Sequence, residues 1–267
     1  MFVVASVFRN EAPLLREWLE HCLAEGAVHF FLVDHLSIDD PFDRVRDYAD
    51  RITWFRSDRP FEPGVQTALL NEHVLPLVRG GKCWVLVCDV DEYLYAPSPS
   101  TVADVLLRMP PHVNRVWTPW KVFGSDGHAA QPPSVVRGFT RRADGVSLPF
   151  RRVPGGYESH LGVGKTVARH VAKLDVHEST TSADNATLYA WDKAHTPAHL
   201  VFRLPANPLL ELNHYMFMSR DYYEKVKCVR GGGQTGPGNP KYSMRYYDEA
   251  EPACNAVRDM TLFLKRG

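Results

Sequence analysis

The segment WVLVCDVDEYL, residues 84–94, decides the fold and indicates where the chemistry lies. Its first five residues are apolar or carry a thiol, which predicts a strand buried on both faces, as at the centre of a parallel sheet covered by helices. Three carboxylates follow within four positions, those of Asp89, Asp91 and Glu92. Open α/β sheets bind ligands at the carboxyl ends of their strands. The segment therefore predicts a central strand with a binding site at its tip.

The spacing of Asp89 and Asp91 predicts a divalent cation. In an extended chain, residues two apart point to the same side, so both carboxylates could reach one ion or a metal-bridged pyrophosphate. Mg²⁺ and Mn²⁺ prefer such oxygen ligands. The simpler alternative is an acidic turn without a ligand, but three negative charges beside an apolar core are costly without a cation. We therefore expect Mn²⁺ or Mg²⁺ at these two residues.

The composition limits the class of protein. The chain has 267 residues with 31 basic and 31 acidic side chains, so no excess of charge indicates nucleic acid as a partner. Five cysteines without a Cys-x-x-Cys pair predict reduced thiols in a reducing compartment. No apolar run approaches the roughly 20 residues of a membrane helix, and residues 2–8 have the pattern of a strand rather than of a signal peptide. We expect a cytoplasmic protein that could associate peripherally with the inner face of the membrane.

Strand and helix patterns alternate through the first third of the chain. Before the central strand, strands are predicted at 2–8, 28–34 and 52–56. This alternation predicts an α/β fold with a mostly parallel central sheet, flanked by helices and joined by right-handed crossovers. Beyond Tyr95 the regularity decreases, and the segments are expected to be of mixed direction. We interpret residues 1–267 as one domain, with a nucleotide-binding half up to about Tyr95 and an acceptor-binding half with C-terminal helices after it.

The first turn argues against two common nucleotide sites. No glycine lies between Phe8 and Pro13, so the G-x-G-x-x-G phosphate cradle is missing, and the chain has no G-x-x-x-x-G-K-[ST] loop. Polar groups instead follow three strands, at Arg9, at Asp34 and at the Asp89/Asp91 pair. That arrangement fits a nucleoside along the strand tips, with a metal neutralising its diphosphate.

Six short motifs in order resemble bacterial members of the glycosyltransferase family 2 group and, within it, sequences related to glycosyltransferase family 92. They are FRNE at 8–11 with EWL at 17–19, VDHLSID at 33–39, CDVDEYL at 88–94, WKVFG at 120–124, NHY at 213–215, and Ser219 with Lys225 and Arg230-Gly231. The resemblance implies a GT-A fold and transfer of a sugar from a nucleotide-diphosphate donor, usually with inversion. Uridine is the expected base, and Mn²⁺ or Mg²⁺ is expected at the Asp-x-Asp motif.

The resemblance also implies roles for individual residues. The expected metal ligands are Asp89, Asp91 and His214. Cations that stabilise the leaving diphosphate are expected at Lys165, Lys225 and Arg230. The other residues expected to bind the donor are Arg9, Asp34, Ser37, Gln66, Asn71 and Asp89. One departure from the family pattern is Asp34-His35, where related sequences often have Asp-Asn or Asp-Asp, so the nucleoside contact is expected to differ there.

The catalytic base should be a carboxylate within hydrogen-bond reach of the acceptor hydroxyl. Asp126, in the turn at 124–128, and Glu158 are the two candidates, with Asp126 preferred. His177 follows an apolar strand and could reach the site, although a single histidine is more often structural.

Two other functions remain open from the sequence. A sugar nucleotidyltransferase also uses acidic strand ends, but it normally begins with a glycine-rich basic loop that this chain lacks. A catalytically silent carbohydrate-binding protein on the same fold is less expected because the acidic motif and His214 are intact. The leading interpretation is a metal-dependent glycosyltransferase acting on a glycan or lipid-linked acceptor.

Overall fold

A computed structural model of the chain describes residues 1–81, 83–145, 151–153, 156–158, 164–181, 186–189, 208–232 and 239–267; for 151–153, 156–158 and 186–189 it describes the backbone. The strands are β1 Phe2–Phe8, β2 His29–His35, β3 Ile52–Ser57, β4 Trp84–Val87, β5 Glu92–Tyr95, β6 Val113–Val122, β7 Arg141–Arg142, β8 Arg151–Val153, β9 Gly156–Glu158, β10 Gly164–Ala168, β11 Val171–Lys173, β12 Thr180–Thr181, β13 Ala186–Tyr189, β14 Glu211–His214 and β15 Val257–Arg258.

The helices are α1 Ala12–Ala24, α2 Val65–Leu69, α3 Leu75–Val78, α4 Val102–Leu107, α5 Val135–Gly138, α6 Arg220–Tyr222, α7 Cys228–Arg230, α8 Met244–Ala250 and α9 Thr261–Arg266. One π-helical turn, Leu70–Val74, joins α2 to α3, and a second, Tyr223–Lys227, joins α6 to α7. Short 3-10 helices lie at Pro41–Arg44, Arg46–Arg51 and Glu251–Asn255. Within the described ranges, no helix is long and apolar enough to cross a membrane.

The central sheet has the order β3-β2-β1-β4-β10-β6-β14-β5, and β13 pairs with β6 beside β14. The pairs among β1, β2, β3 and β4 are parallel. Strand β10 is antiparallel to both β4 and β6, and β14 is antiparallel to β5. The predicted α/β fold with a mostly parallel central sheet flanked by helices is confirmed.

Strand β1 shows why the sheet is buried on both faces. Its side chains alternate between two apolar clusters, with Phe2, Val4 and Phe8 in one and Val3, Ala5 and Val7 in the other. Alternation with period two places successive side chains on opposite faces of a strand. A strand that is apolar at all positions but Ser6 therefore belongs in the middle of a layered α/β fold, with apolar surface above and below it.

Helix α1 covers one face of the sheet. Pro13 occupies its first turn, where the missing N–H has no helical acceptor, and the apolar positions recur at three- and four-residue spacing, as predicted. Its Trp18 is fully buried, and the indole N–H donates a hydrogen bond of 3.1 Å to the Glu92 carbonyl oxygen. The helix thereby supports the backbone immediately after the acidic residues.

The acidic residues lie on a turn, which corrects the extended conformation expected from the sequence. Between β4 and β5 the backbone N–H of Glu92 donates to the Asp89 carbonyl oxygen at 3.1 Å, and a Glu92 carboxylate oxygen accepts from the Asp89 N–H at 2.8 Å. These two bonds close the segment 89–92, called the acidic turn below. The chain then leaves the centre of the sheet, because β5 pairs with β14 at the far edge.

Candidate active site

A cavity of about 220 Å³ opens at the carboxyl ends of β1 and β4. Its lining includes the tip of β1, the acidic turn, three histidines and the C-terminal segment that follows Tyr222. Strands β1 and β4 are adjacent and parallel, so their tips lie side by side. The cavity is therefore at the edge where open α/β sheets bind ligands.

Asp91 is the buried member of the acidic pair. Its side chain is 6% exposed, one carboxylate oxygen accepts a 2.6 Å hydrogen bond from the Lys227 ammonium, and the other lies 3.7 Å from His214 Nε2. Burial alone would raise the pKa of Asp91, but Lys227 and His214 lower it well below its usual value. The carboxylate is therefore ionised and already has a cation beside it.

Asp89 is the accessible member, with 39% of its side chain exposed. It shares a second buried ammonium, that of Lys165, which lies 3.3 Å from Asp89 and 3.0 Å from Glu92. The same ammonium donates a 2.6 Å hydrogen bond to the Val176 carbonyl oxygen. Burial raises the pKa of Glu92 to about 8, with Lys165 opposing that rise. Each aspartate of the motif is thus paired with its own lysine.

Arg230 joins the C-terminal segment to the tip of β1. Its guanidinium forms an ion pair with Glu11 and donates a 3.3 Å hydrogen bond to the Arg9 carbonyl oxygen. Glu11 also accepts a 2.6 Å hydrogen bond from the Tyr222 hydroxyl. Burial lowers the pKa of Arg230 to about 10. The guanidinium of Arg9 lies 5.3 Å from the centre of the Phe61 ring, which also lines the cavity.

An aromatic group forms the wall opposite the tip of β1. The ring of Trp120 lies 4.3 Å from the ring of His214 and 5.4 Å from that of His177, between centroids. Burial lowers the pKa of His177 to about 4 and also lowers that of His214, so both imidazoles are neutral at neutral pH. Neutral imidazole is a good ligand for divalent transition metals and a good hydrogen-bond partner.

The carboxylates and imidazoles beside the cavity are the groups that could bind a divalent ion. Among the described residues, no group of three or more His, Cys, Asp and Glu side chains converges on one point. Mg²⁺ and Mn²⁺, however, are commonly held by one or two carboxylates together with substrate phosphates. Asp89 has exposed carboxylate surface, and the Nδ1 atom of His214 is buried without a hydrogen-bond partner in the described part of the chain. The residues fit an ion that binds together with a diphosphate.

Two of the residues expected to bind the donor organise loops beside the cavity. Buried Asp34 accepts a 3.1 Å hydrogen bond from the Ser37 N–H, and the Ser37 hydroxyl accepts a 2.9 Å bond from the Asn10 N–H. Arg56 lies 3.6 Å from Asp34. These contacts hold the tips of β1 and β2 together, and His35 rather than Asp34 lines the cavity.

The two predicted residues that precede the central strand separate in the structure. Gln66 lines the cavity and donates a 3.2 Å hydrogen bond to the Val7 carbonyl oxygen. Asn71 instead exchanges two hydrogen bonds with the Leu174 backbone, at 2.7 and 3.0 Å, and so fastens the segment after β11 to the helical layer. These bonds give Asn71 a structural role.

Lys225 and Asp126 do not reach the cavity lining. The Lys225 ammonium is exposed and pairs with Asp221 at 2.8 Å on the helix surface. Asp126 accepts two hydrogen bonds from Thr140, at 3.1 Å from the N–H and 2.6 Å from the hydroxyl. The side chain of Glu158 lies outside the described residues. The identity of the catalytic base therefore stays a prediction.

Two cavity lysines were missed by the sequence interpretation. Lys227 is two residues beyond Lys225, and the π-helical turn that carries both directs Lys227 inward and Lys225 outward. Its position four residues after buried Tyr223 was a usable signal, because residues four apart share a helix face. Lys241 follows the glycine-rich loop at 231–233 and had no periodic signal.

Comparisons with known proteins bear on these motifs. No family model matches the chain. A glycosyltransferase family 92 protein from Oryza sativa subsp. japonica is 29% identical over 143 residues, which cover 52% of this chain and 24% of that protein. This similarity confirms the resemblance to family 92 that the ordered motifs indicate, over about a quarter of the relative's length.

Solved structures give more distant likenesses. TarS 1-349 of S. aureus, in complex with UDP, is 16% identical with a TM-score of 0.35, over 51% of this chain and 41% of that one. HddC from Yersinia pseudotuberculosis is 10% identical with a TM-score of 0.39, over 71% of this chain and 89% of that one. Likenesses of this size do not indicate an activity for this chain.

Proposed function

We propose that this chain is a glycosyltransferase with a GT-A-type fold that transfers a sugar from a nucleotide-diphosphate donor, with uridine as the expected base. The observation that carries the proposal is the acidic turn, whose Asp89 and Asp91 line a cavity at the strand tips together with several basic side chains. The similarity to a family 92 protein supports it. The acceptor is proposed to be a glycan or a lipid-linked glycan, reached from the cytoplasm or the inner face of the membrane.

The donor would lie across the carboxyl ends of β1 and β4. Phe61 and Gln66 line the side of the cavity next to β1, which suits the nucleoside, and Arg9, the acidic turn and the C-terminal segment suit the diphosphate. The sugar would then face Trp120 and His177, since apolar sugar faces pack well on aromatic rings. In this proposal the nucleoside contacts come from the half up to about Tyr95, and Trp120 and His177 belong to the proposed acceptor-binding half.

A divalent ion, Mn²⁺ or Mg²⁺, is part of the proposal, with Asp89, Asp91 and His214 as the residues that would hold it. Such an ion would stabilise the negative charge that develops on the leaving diphosphate. The protein's own part is to orient both carboxylates, through the ion pairs of Lys165 with Asp89 and of Lys227 with Asp91. Preorganised charges of this kind need little rearrangement during reaction.

The transfer is expected to invert the anomeric carbon. The acceptor oxygen would form a bond to that carbon, its proton would pass to a base, and the bond from the carbon to the diphosphate oxygen would break, with the electron pair leaving on the nucleotide. Asp126 and Glu158 were the bases expected from the sequence. Because Asp126 lies outside the cavity lining, a substitution there distinguishes a catalytic role from a structural one.

The decisive experiment is a transfer and hydrolysis assay with a panel of nucleotide sugars, in Mn²⁺ and in EDTA. We expect release of a nucleoside diphosphate from at least one donor in Mn²⁺, at least a hundredfold slower release for Asp89→Asn, and little release in EDTA. Lys225→Met, which alters an exposed ion pair outside the cavity, serves as the matched control. Pyrophosphate release from a nucleoside triphosphate would indicate a nucleotidyltransferase, and sugar binding without nucleotide binding would indicate a silent carbohydrate-binding protein.

A further inference from the structure

Four lysine and arginine side chains line the cavity, and their partners divide them into two groups. Two of them have carboxylate partners, Lys227 with Asp91 and Arg230 with Glu11, and Lys165, which is not part of the lining, pairs with Asp89 and Glu92. The positive charges of these three are therefore largely neutralised before any ligand arrives. The other two are Arg9 and Lys241, and neither has a carboxylate within ion-pair distance in the part of the chain that the structure describes.

Lys241 is held by its backbone, and its ammonium has no hydrogen bond or ion pair with any residue that the structure describes. Its N–H donates a 2.9 Å hydrogen bond to the side chain of Asn239, and its carbonyl oxygen accepts a bond from the Tyr223 hydroxyl. Burial and the positive charge of Lys227 lower the pKa of Lys241, and the carboxylates of Asp91, Asp89 and Glu92 oppose that shift.

Arg9, directly after β1, is the second such cation. The face of its guanidinium is against Phe61, and its Nε atom is buried without a hydrogen-bond partner in the described ranges. The ring supplies a cation–π contact but no hydrogen-bond acceptor. Two side chains of the lining, Arg9 from the N-terminal part of the chain and Lys241 from the C-terminal part, therefore have no carboxylate within ion-pair distance among the described residues.

We propose that Lys241 binds the diphosphate of the donor directly, with Arg9 as the second cation, so that the cavity holds a diphosphate even without a divalent ion. This inference rests on the proposed function and adds to it a residue and a property of the same site. The bridging diphosphate of a nucleotide sugar carries two negative charges, which match the two cations without carboxylate partners. The divalent ion would then be needed for the departure of the leaving group rather than for nucleotide binding.

The test measures binding by isothermal titration in EDTA, with inorganic pyrophosphate as a probe that does not depend on the base. UDP is the second probe, and uridine is the control without phosphate. We expect wild-type protein to bind pyrophosphate and UDP in EDTA, and Lys241→Met to weaken both by about 10- to 100-fold, as for the loss of one hydrogen bond between charged groups. Uridine binding should be the same in both proteins.

Two further variants keep the result interpretable. Lys225→Met removes an exposed ammonium that pairs with Asp221 outside the cavity, and its affinity for pyrophosphate should stay within twofold of wild type. Lys241→Arg keeps the charge and should retain most of the binding that Lys241→Met loses, which separates a charge contact from a loss of fold. Equal thermal midpoints for wild type and Lys241→Met complete the control.

The inference is overturned if Lys241→Met binds pyrophosphate within twofold of wild type, or if wild type binds it only in Mn²⁺. Its failure can be told apart from that of the proposed function. Transfer from a nucleotide sugar with normal pyrophosphate affinity in Lys241→Met would reject the role of Lys241 alone. Pyrophosphate binding that depends on Lys241, without turnover of any nucleotide sugar, would reject glycosyl transfer and leave an anion site.

Discussion

Replacing Lys227 by Met tests whether the acidic turn depends on a built-in cation. The ammonium of Lys227 lies 2.6 Å from Asp91 and also donates a 2.6 Å hydrogen bond to the Met216 carbonyl oxygen. Both side chains of the ion pair are almost fully buried, at 3% and 6% exposure. Methionine has nearly the same length, so the variant removes the charge and the hydrogen bonds while leaving little empty space.

The expected loss of stability follows from the burial of the pair. Removing one partner of a buried ion pair costs about 3–5 kcal/mol, because the remaining charge is left without compensation in an apolar environment. In Lys227→Met only His214, at 3.7 Å, remains close to Asp91. A loss near the lower end, about 3 kcal/mol, is expected at neutral pH, because protonation of Asp91 can relieve part of the penalty.

The loss should depend on pH with a definite sign. In the wild type the pKa of Asp91 is depressed, so its ionisation stabilises the fold above the unfolded value of about 4, and that contribution disappears as the pH falls toward the folded value. In the variant, burial raises the pKa of Asp91 instead, and the folded protein gains a proton. The difference in unfolding free energy between the two proteins should therefore be largest near neutral pH and smaller at about pH 4.5.

Urea denaturation followed by tryptophan fluorescence, in EDTA at about pH 7.5 and about pH 4.5, measures both effects. Lys225→Met should leave the midpoint unchanged, since its ammonium is exposed. The double variant Asp91→Asn with Lys227→Met removes both charges and should be more stable than Lys227→Met alone. A loss below about 1 kcal/mol, or an equal loss at both pH values, would show that the pair does not support the acidic turn.

Two further substitutions test the surroundings of the cavity. Asp126→Asn should retain transfer, because the carboxylate it replaces accepts its bonds from Thr140, and it should lower the free energy of unfolding by about 1 kcal/mol; a loss of transfer with normal stability would restore Asp126 as the base. Gly164→Ala places a Cβ atom 2.2 Å from the Thr118 carbonyl oxygen, which forces β10 away from β6. It should lower the free energy of unfolding by about 1–3 kcal/mol, and a thermal midpoint equal to wild type would contradict this.

The first half of the sheet could be predicted from the sequence because its signals are local. Strands β1, β2 and β4 consist mostly of apolar residues, and each is separated from the next by a helix or a loop with clear end signals. A right-handed crossover between such strands leaves few possible arrangements. The position of β10, inserted antiparallel between β4 and β6, is different. Pairing between strands about 80 residues apart in sequence leaves no periodic trace in either of them, so the sequence could not show it.

Parts of the site likewise could not be predicted from local sequence patterns. Asp89 and Asp91 could be identified because a buried strand directly precedes them, and their position in the cavity agrees with that reasoning. That Lys227 and not the predicted Lys225 lines the cavity depends on the phase of one helical segment. A π-helical turn at Tyr223–Lys227 changes the angle between successive side chains, and this change cannot be read from composition. Asp126 was selected by its place in a turn, but its contacts with Thr140 depend on distant packing.

The sequence predicted a metal ion to balance the charge of the acidic turn, and in the structure two lysine side chains supply positive charge there. Carboxylates beside an apolar core require a neighbouring positive charge, and that requirement is physical whatever the cation is. Lys165 and Lys227 meet it from two different parts of the chain, β10 and the π-helical turn after α6. The acidic turn is therefore stable before a donor or an ion binds, and a divalent ion would have to share Asp89 and Asp91 with these lysines. An ion of this kind would be expected to bind together with the diphosphate, whose phosphate oxygens would supply the ligands that the lysine-paired carboxylates cannot.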